Sequence, residues 1–127
     1  MERQLRLRRE SEVRAARSRG RAVSDGPLVI RYLRNATDPP ANRYAFVAGK
    51  KSGGSVQRNR LKRVTREAVR GLHSALAPGF DMVFIIRGTI DELPGTVVAT
   101  TILTRMLRRA GLLERAATLE PPLESRP

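Results

Sequence analysis

The sequence predicts a single small α+β domain whose elements follow the order αβββαβα. Three observations lead to this prediction. A chain of 127 residues is long enough for one modest hydrophobic core but not for two. Residues 56–76 carry apolar side chains at helical spacing. Segments 28–33, 43–48 and 80–87 are short, apolar and rich in β-branched or aromatic residues, which is typical of strands.

The N-terminal third is predicted to form one short helix and two strands. Residues from Ser11 to Arg19 favour a helix, and Gly20 stands where a helix C-cap is expected. A brief strand over 21–24 then leads into the turn Asp25-Gly26-Pro27, and a second strand follows over 28–33.

The next segment is a loop over 35–42 followed by a third strand over 43–48. In that strand Tyr44, Phe46 and Ala48 alternate with smaller residues, so they should share one face of a sheet. The second and third strands lie on either side of the loop and are predicted to pair as a hairpin.

A long central helix is predicted from about Val56 to Leu76, ending before Pro78-Gly79. Its apolar residues fall on one helical stripe, which should pack against the sheet while the other faces stay polar. The stripe contains Leu61, Val64, Ala68 and Leu72.

The C-terminal third is predicted to contain a strand over 80–87 and a last helix from Thr96 to Ala110, closed by Gly111. Residues 114–127 contain three prolines and few apolar residues, so we expect a disordered tail. The folded domain is accordingly predicted to span residues 1–113.

The positive charge of the chain is concentrated in two segments. The formal net charge is +13. Residues 1–21 hold 8 basic and 3 acidic side chains, residues 50–70 hold 8 and 1, and residues 81–127 hold 6 and 6. Because the excess is clustered, it indicates a surface that binds phosphates rather than a general aid to solubility. The arginine-rich composition suits bidentate phosphate recognition and stacking on bases.

The second basic segment carries a motif that is far more specific than a basic helix. Its run KKSGGSVQRNRLKRVTREAVR contains a Lys-Lys pair, a glycine, a small residue with a valine, and an Arg-Asn-Arg-x-Lys-Arg-x-x-Arg-Glu string. This run resembles the signature of the bacterial ribonuclease P protein component, and the likeness extends over roughly residues 3–113. The matching residues are Lys50, Lys51, Gly53, Ser55, Val56, Arg58, Asn59, Arg60, Lys62, Arg63, Arg66 and Glu67.

The resemblance implies a mixed sheet with an uncommon left-handed β-α-β crossover through the Arg-rich helix. It also implies two RNA partners, the large RNA subunit of ribonuclease P and precursor tRNA. Contact with the RNA subunit is implied for Lys50, Lys51, Arg58, Asn59, Arg60, Lys62, Arg63 and Arg66. The single-stranded 5′ leader of the precursor is expected in a cleft between the first helix and the sheet.

The implied leader cleft departs from the family pattern in this chain. Val13, Arg17 and Arg31 occupy positions where relatives often carry aromatic residues. Stacking of a base on an aromatic ring contributes about 1 to 3 kcal/mol. We therefore expect the two arginines to stack and to pair with phosphates in place of the missing rings, against the alternative that both are ordinary solvated cations.

We expect no catalytic residue and no metal site in the protein itself. Hydrolysis of a phosphodiester needs a general acid and base or carboxylates that hold metal ions, and the acids of this chain are scattered. The resemblance implies that Mg²⁺ is held by the RNA subunit and the substrate, where the chemistry occurs. His73 is interpreted as a partly exposed surface residue, and Asp81 as a turn or strand-edge residue.

Composition excludes several other classes of protein. No cysteine is present, which excludes disulfides and thiolate chemistry and favours the cytoplasm. The longest apolar run, 82–86, is far too short to span a bilayer, so no membrane partner is expected. A phosphate-binding loop at 49–52 would need a glycine where Tyr44 stands, so no small-molecule substrate is expected.

Three alternatives share part of the pattern. A ribosomal protein or RNA chaperone would have the same charge clusters but would copurify with ribosomal subunits. A DNA-binding regulator would need a second helix spaced for a groove, whereas strands separate the first two helices here. A self-sufficient nuclease would cleave RNA with no RNA partner present.

Overall fold

The computed structural model describes residues 5–113, and the elements appear in the predicted order. The predicted tail over 114–127 lies outside the described residues. The elements are α1 (Glu10–Arg19), β1 (Arg21–Asp25), β2 (Leu28–Arg34), β3 (Arg43–Ala48), α2 (Ser55–Leu72), β4 (Phe80–Ile86) and α3 (Thr96–Arg109). The central helix ends four residues earlier than predicted, and a short 3-10 turn over His73–Ala75 continues it.

The four strands form one mixed sheet in the order β1-β2-β4-β3. β1 pairs antiparallel with β2, β2 antiparallel with β4, and β4 parallel with β3. The predicted hairpin between β2 and β3 is wrong, because β4 lies between them. Four consecutive residues of β4, from Asp81 to Phe84, are buried, and a strand buried on both faces belongs in the interior of a sheet.

The loop over 35–42 passes around the start of β4 instead of forming a tight turn. The Asn35 backbone N–H donates to the Gly79 carbonyl (2.8 Å), and the Phe80 N–H donates to Oδ1 of Asn42 (2.8 Å). α2 connects β3 to its parallel neighbour β4, which is the β-α-β crossover that the resemblance implies. The left hand of this crossover stays a prediction.

The larger core lies between the sheet and the pair α2 and α3. Leu61, Ala68 and Leu72 of the predicted stripe are buried in it, and Val64 packs against it half-buried. From the sheet side Tyr44, Phe46 and Ala48 point into the same core, which confirms the predicted face of β3. No helix within residues 5–113 is long and apolar enough to cross a membrane.

The opposite face of the sheet carries a much smaller core beneath α1. Its buried members are Leu7, Ala16 and Val83. The two cores leave α2 with one polar face toward solvent and leave the α1 side of the sheet only partly covered. Both places are where the sequence concentrates its positive charge.

Candidate nucleic-acid interface

A fixed loop presents the start of α2. Gly53 has a φ of 119°, a left-handed conformation that favours glycine, and the Gly54 N–H donates to Oε1 of Gln57 (3.0 Å) at the first turn of the helix. Ser52 is buried, and its Oγ donates to the carbonyl of Ile86 (3.3 Å) at the end of β4. This anchor fixes the loop that holds the exposed residues Lys50 and Lys51.

The solvent-facing side of α2 is a dense array of cations. Among the residues that the structure describes, the side chains of Arg58, Arg60, Lys62 and Arg63 form no hydrogen bond or ion pair. Unpaired cations this close together repel each other, and a polyanion is the partner that best offsets the repulsion. The α2 surface, as we name it, consists of Lys50, Lys51, Arg58, Asn59, Arg60, Lys62, Arg63 and Arg66.

Arg66 is the member of the α2 surface that the fold holds in place. Its guanidinium carbon lies 5.3 Å from the ring centroid of Phe46 on β3. Phe46 in turn stacks on Phe84, with centroids 5.2 Å apart and planes 15° apart. A cation over an aromatic face is attracted by the ring quadrupole, so this contact orients Arg66 at the β3 edge of the sheet.

On the other side of the sheet α1 runs across the strands. Near its start Glu12 reaches Arg43 on β3, and near its end Gly20 lies against β2. A Cβ at Gly20 would stand 2.8 Å from the Tyr32 carbonyl oxygen, so only glycine permits this approach. α1 contacts β2 and β4 between these two ends.

Beyond α1 the sheet displays a half-buried apolar row, which we call the open row. Val29, Ile85 and Val47 are direct cross-strand neighbours on β2, β4 and β3. Arg31 lies in the next row, beside Val83, and its Nε is buried without a hydrogen-bond partner among the described residues. A guanidinium next to an apolar surface can donate hydrogen bonds to a phosphate or to a base edge.

The structure places the three predicted leader residues on this side of the sheet but does not bring all three into one cavity. Val13 and Arg17 line a groove along α1 of about 410 Å³, together with Glu10, Arg14 and Ser18. Val13 also packs against the smaller core, so only part of its side chain reaches the groove. Arg31 lies on the sheet and is not part of the groove lining.

Sequence reasoning missed an ion-pair network that joins α1 to the sheet. Asp81, interpreted as a turn or strand-edge residue, is buried in β4 and accepts two hydrogen bonds from Arg43, from Nε and Nη2, both at 2.9 Å. Arg43 Nη2 also lies 3.4 Å from Oε2 of Glu12. The hydrogen bond with Asp81 raises the pKa of Arg43 further above its ordinary value, against the opposing effect of burial. Nothing in the spacing of residues 12, 43 and 81 signals this contact.

His73 is half-buried, as a partly exposed residue should be, but it is also part of the structure. Its Nδ1 lies 2.7 Å from the hydroxyl oxygen of Tyr44, whose pKa is raised by burial. The contact joins the end of α2 to β3. It combines this hydrogen bond with an edge-to-face contact between the two rings, whose centroids lie 5.6 Å apart.

The described acidic side chains are mostly engaged by arginines. Asp25 pairs with Arg105, Glu67 with Arg70, and Glu10 with Arg14. Within residues 5–113, no three carboxylate or histidine side chains are grouped so that they could hold a metal ion. The described acids therefore do not form a site that would bind a magnesium ion through several free carboxylates.

A mixed sheet flanked by a helix with four unpaired cationic side chains among the described residues, and by a half-covered basic face, defines a small nucleic-acid-binding protein of the α+β class. Comparison with known proteins makes this specific. The family model Ribonuclease P matches residues 1–111. The chain belongs to the ribonuclease P protein family, which confirms the resemblance.

Individual relatives are similar in sequence along nearly the whole chain. The ribonuclease P protein component of Roseiflexus castenholzii is 36% identical over 121 residues, covering 95% of this chain and 98% of the relative. That of Chloroflexus aurantiacus is 41% identical over 118 residues, covering 89% and 82%. As a family member, the chain is a protein component of the endoribonuclease that processes the 5′ end of tRNA.

Solved structures support the fold. The ribonuclease P protein from Thermotoga maritima, solved with 1-(4-fluorophenyl)-2-thiourea, superposes with a TM-score of 0.72 at 26% identity, covering 82% of this chain and 98% of that one. The Staphylococcus aureus protein gives a TM-score of 0.72 at 21% identity, covering 87% and 98%. The second likeness bears on the fold alone.

Proposed function

We propose that the chain binds the RNA subunit of ribonuclease P through the α2 surface and holds the 5′ leader of precursor tRNA on the α1 side of the sheet. The RNA subunit then carries out the cleavage, and the cytoplasm is the compartment. The observation that supports this most is the contrast in pairing. Most of the described acids engage arginines, whereas the side chains of Arg58, Arg60, Lys62 and Arg63 have no partner among the described residues.

The α2 surface suits an RNA backbone because its charges lie on a rigid scaffold. Leu61, Ala68 and Leu72 anchor the helix in the larger core, so the cations project from a fixed axis. Each phosphate that such a cation neutralises releases a counterion, and several contacts together give tight binding that depends steeply on salt. Lys50 and Lys51 extend the surface at the anchored loop.

The α1 side suits a short single strand. Arg17 and Arg31 supply charge for phosphates, and the open row supplies an aliphatic surface on which bases can pack. Arg31 is half-buried and forms no ion pair among the described residues, so its charge stays available to a leader phosphate. Leader binding in this chain is accordingly more electrostatic than in a relative with aromatic residues at these positions.

The chemistry belongs to the RNA in this proposal. The acids within residues 5–113 do not form a metal site, so we assign no metal ion to the protein. We place Mg²⁺ on the RNA subunit and substrate, where it would activate water and stabilise the leaving oxygen. The protein contributes affinity for the precursor and a basic surface that lets two polyanions approach each other.

Affinity for the correct RNA tests this proposal against the ribosomal alternative. Binding of the full-length protein to a bacterial ribonuclease P RNA is measured against a ribosomal RNA fragment of equal length, at the same salt concentration. We expect binding to the ribonuclease P RNA to be tighter by about a hundredfold or more, the range in which a specific site exceeds backbone binding. Equal affinity for both RNAs would favour a general RNA chaperone.

A further inference from the structure

The network formed by Glu12, Arg43 and Asp81 ties three elements together on the leader side of the sheet. Asp81 is 6% exposed and holds Arg43 by two hydrogen bonds of 2.9 Å. Asn35 donates a third hydrogen bond to Asp81, also at 2.9 Å. These bonds fix the guanidinium of Arg43 against β4. Its Nη2 then lies 3.4 Å from Oε2 of Glu12 on α1.

The start of α1 is held by few contacts within residues 5–113. The helix has ten residues, and Ala16 is the only one of them that is buried. Its far end is held by the close approach of Gly20 to β2. The end near β3 is held by the Leu7 N–H bond to the Tyr44 carbonyl (2.7 Å), by the packing of Leu7 and half-buried Val13 in the smaller core, and by the ion pair of Glu12, which is the contact that joins α1 to β3 through side chains. Short helices with so little apolar surface are held by tertiary contacts rather than by their own propensity.

The charges of the network run against those of its surroundings. Glu12 and Asp81 place two carboxylates against one guanidinium, on the side of the protein that carries Arg17 and Arg31. An acid near a phosphate-binding surface weakens binding by repulsion. By charge alone, removing Glu12 should therefore raise affinity for the precursor, whereas loss of a structural contact should lower it.

We propose that Glu12, Arg43 and Asp81 are positioning residues for the leader site: they fix α1 across the sheet and so set the distance between Arg17 on the helix and Arg31 on the strand. They do this without contacting RNA. The inference rests on the proposed leader site. It means that the preference for precursor over mature tRNA depends on this ion-pair network as well as on the cations that would contact the leader.

The test compares Glu12→Ala with Glu10→Ala in the reconstituted holoenzyme. Both changes remove one acid from the first turn of α1, but Glu10 pairs only with exposed Arg14 at 3.8 Å. We expect Glu12→Ala to lower the ratio of affinities for precursor and mature tRNA by about threefold, the scale of one ion pair. Glu10 lines the α1 groove itself, so by charge alone Glu10→Ala should keep or raise the ratio, and neither change should weaken binding to the RNA subunit.

Asp81→Asn gives a second, stronger variant, for which we expect a loss of about tenfold in the same ratio. Amide hydrogen exchange of α1 in the free protein is measured in parallel, and it should rise in Glu12→Ala but not in Glu10→Ala. If Asp81→Asn does not fold, the Glu12 and Glu10 pair still decides the question.

Other results would overturn the inference. A ratio that stays at the wild-type value in Glu12→Ala removes the positioning role, and so does a higher affinity for precursor, which simple charge predicts. Equal losses in both glutamate variants would point to the loss of a first-turn acid that stabilises the N-terminus of α1, and not to the network. A wild-type holoenzyme with no preference for precursor would instead refute the leader site itself, together with the inference that depends on it.

Discussion

Arg60 is a single residue on which the α2 surface can be tested. It is exposed, and no acid pairs with it among the described residues. If it neutralises a phosphate of the RNA subunit, Arg60→Ala should weaken holoenzyme assembly and make the salt dependence of log affinity shallower by about one unit. Titrations of labelled RNA subunit at several salt concentrations measure both quantities.

The matched control is Arg105→Ala, which removes the same charge from α3. Arg105 is paired with Asp25, so its guanidinium is already engaged. We expect its salt slope to equal that of the wild type. An unchanged affinity and slope in Arg60→Ala, or an equal loss in both variants, would contradict a specific contact at Arg60.

Arg17 and Arg31 test the leader side at the same scale. Each charge that contacts the leader should matter for precursor and not for mature tRNA, because only the precursor carries the leader. We expect Arg17→Ala and Arg31→Ala each to lower the ratio of the two affinities several-fold, with a larger effect at low salt. A wild-type ratio in both variants would mean that both arginines are ordinary solvated cations.

At this scale the sequence predicted the residues whose chemistry is local. The α2 cations lie within one continuous segment, so their type and spacing are visible without a fold. The ion pair between Asp81 and Arg43 could not be predicted from the sequence, because it depends on β3 and β4 being parallel neighbours in one register. The same holds for His73 and Tyr44, which are 29 residues apart.

Among the elements, α2 carries both the core contact and the RNA surface, and the two can be separated. Leu61 is fully buried, whereas Val56 on the same helix is 79% exposed. Leu61→Ala should reduce the free energy of unfolding by about 2 to 5 kcal/mol, because it leaves a cavity in the larger core. Val56→Ala should change it by less than about 0.5 kcal/mol.

Denaturant unfolding of both variants checks this prediction. Because the change at Leu61 acts through packing, RNA affinity per folded molecule should stay close to the wild-type value under conditions where the variant is folded. Equal stability losses in the two variants would show that the apolar stripe does not anchor α2.

A second element-scale contact joins β1 to α3. Asp25 accepts hydrogen bonds from Nε and Nη2 of Arg105 at 2.7 and 3.2 Å, and this pairing lowers the pKa of Asp25 below its ordinary value of 3.8. A lowered folded pKa means that the pair stabilises the protein above the unfolded pKa and loses its effect as pH falls through the folded pKa.

Asp25→Asn should therefore lower the melting temperature near neutral pH, and the difference from the wild type should shrink as the solution is acidified below the folded pKa. Thermal unfolding of both proteins across this range measures the difference. A difference of the same size at neutral and strongly acidic pH would contradict a contribution from the ionised carboxylate.

The elements themselves were predicted well, whereas their arrangement was not fully predicted. Apolar periodicity and turn residues are local signals, and they placed every helix and strand in order. The false β2–β3 hairpin came from assuming that strands adjacent in sequence pair. The near-complete burial of β4 decides against it, because this strand needs a neighbour on each side.

For the molecule as a whole, the fold divides the two basic segments between opposite faces of one sheet. α2 and α3 cover one face, α1 partly covers the other, and the cations of residues 50–70 and 6–21 follow them. A thin layered protein with cations on both sides can touch two RNA molecules at once. This is the property that a protein needs if it is to bind a catalytic RNA and a precursor tRNA together.

Cleavage of precursor tRNA at low magnesium tests this account most directly. The full-length protein, a bacterial ribonuclease P RNA and precursor tRNA are combined, with reactions lacking either the protein or the RNA as controls. We predict that the RNA subunit with the protein removes the 5′ leader much faster than the RNA alone, and that the protein alone cleaves nothing. Cleavage by the protein without RNA, or an RNA rate that the protein does not change, would contradict the account.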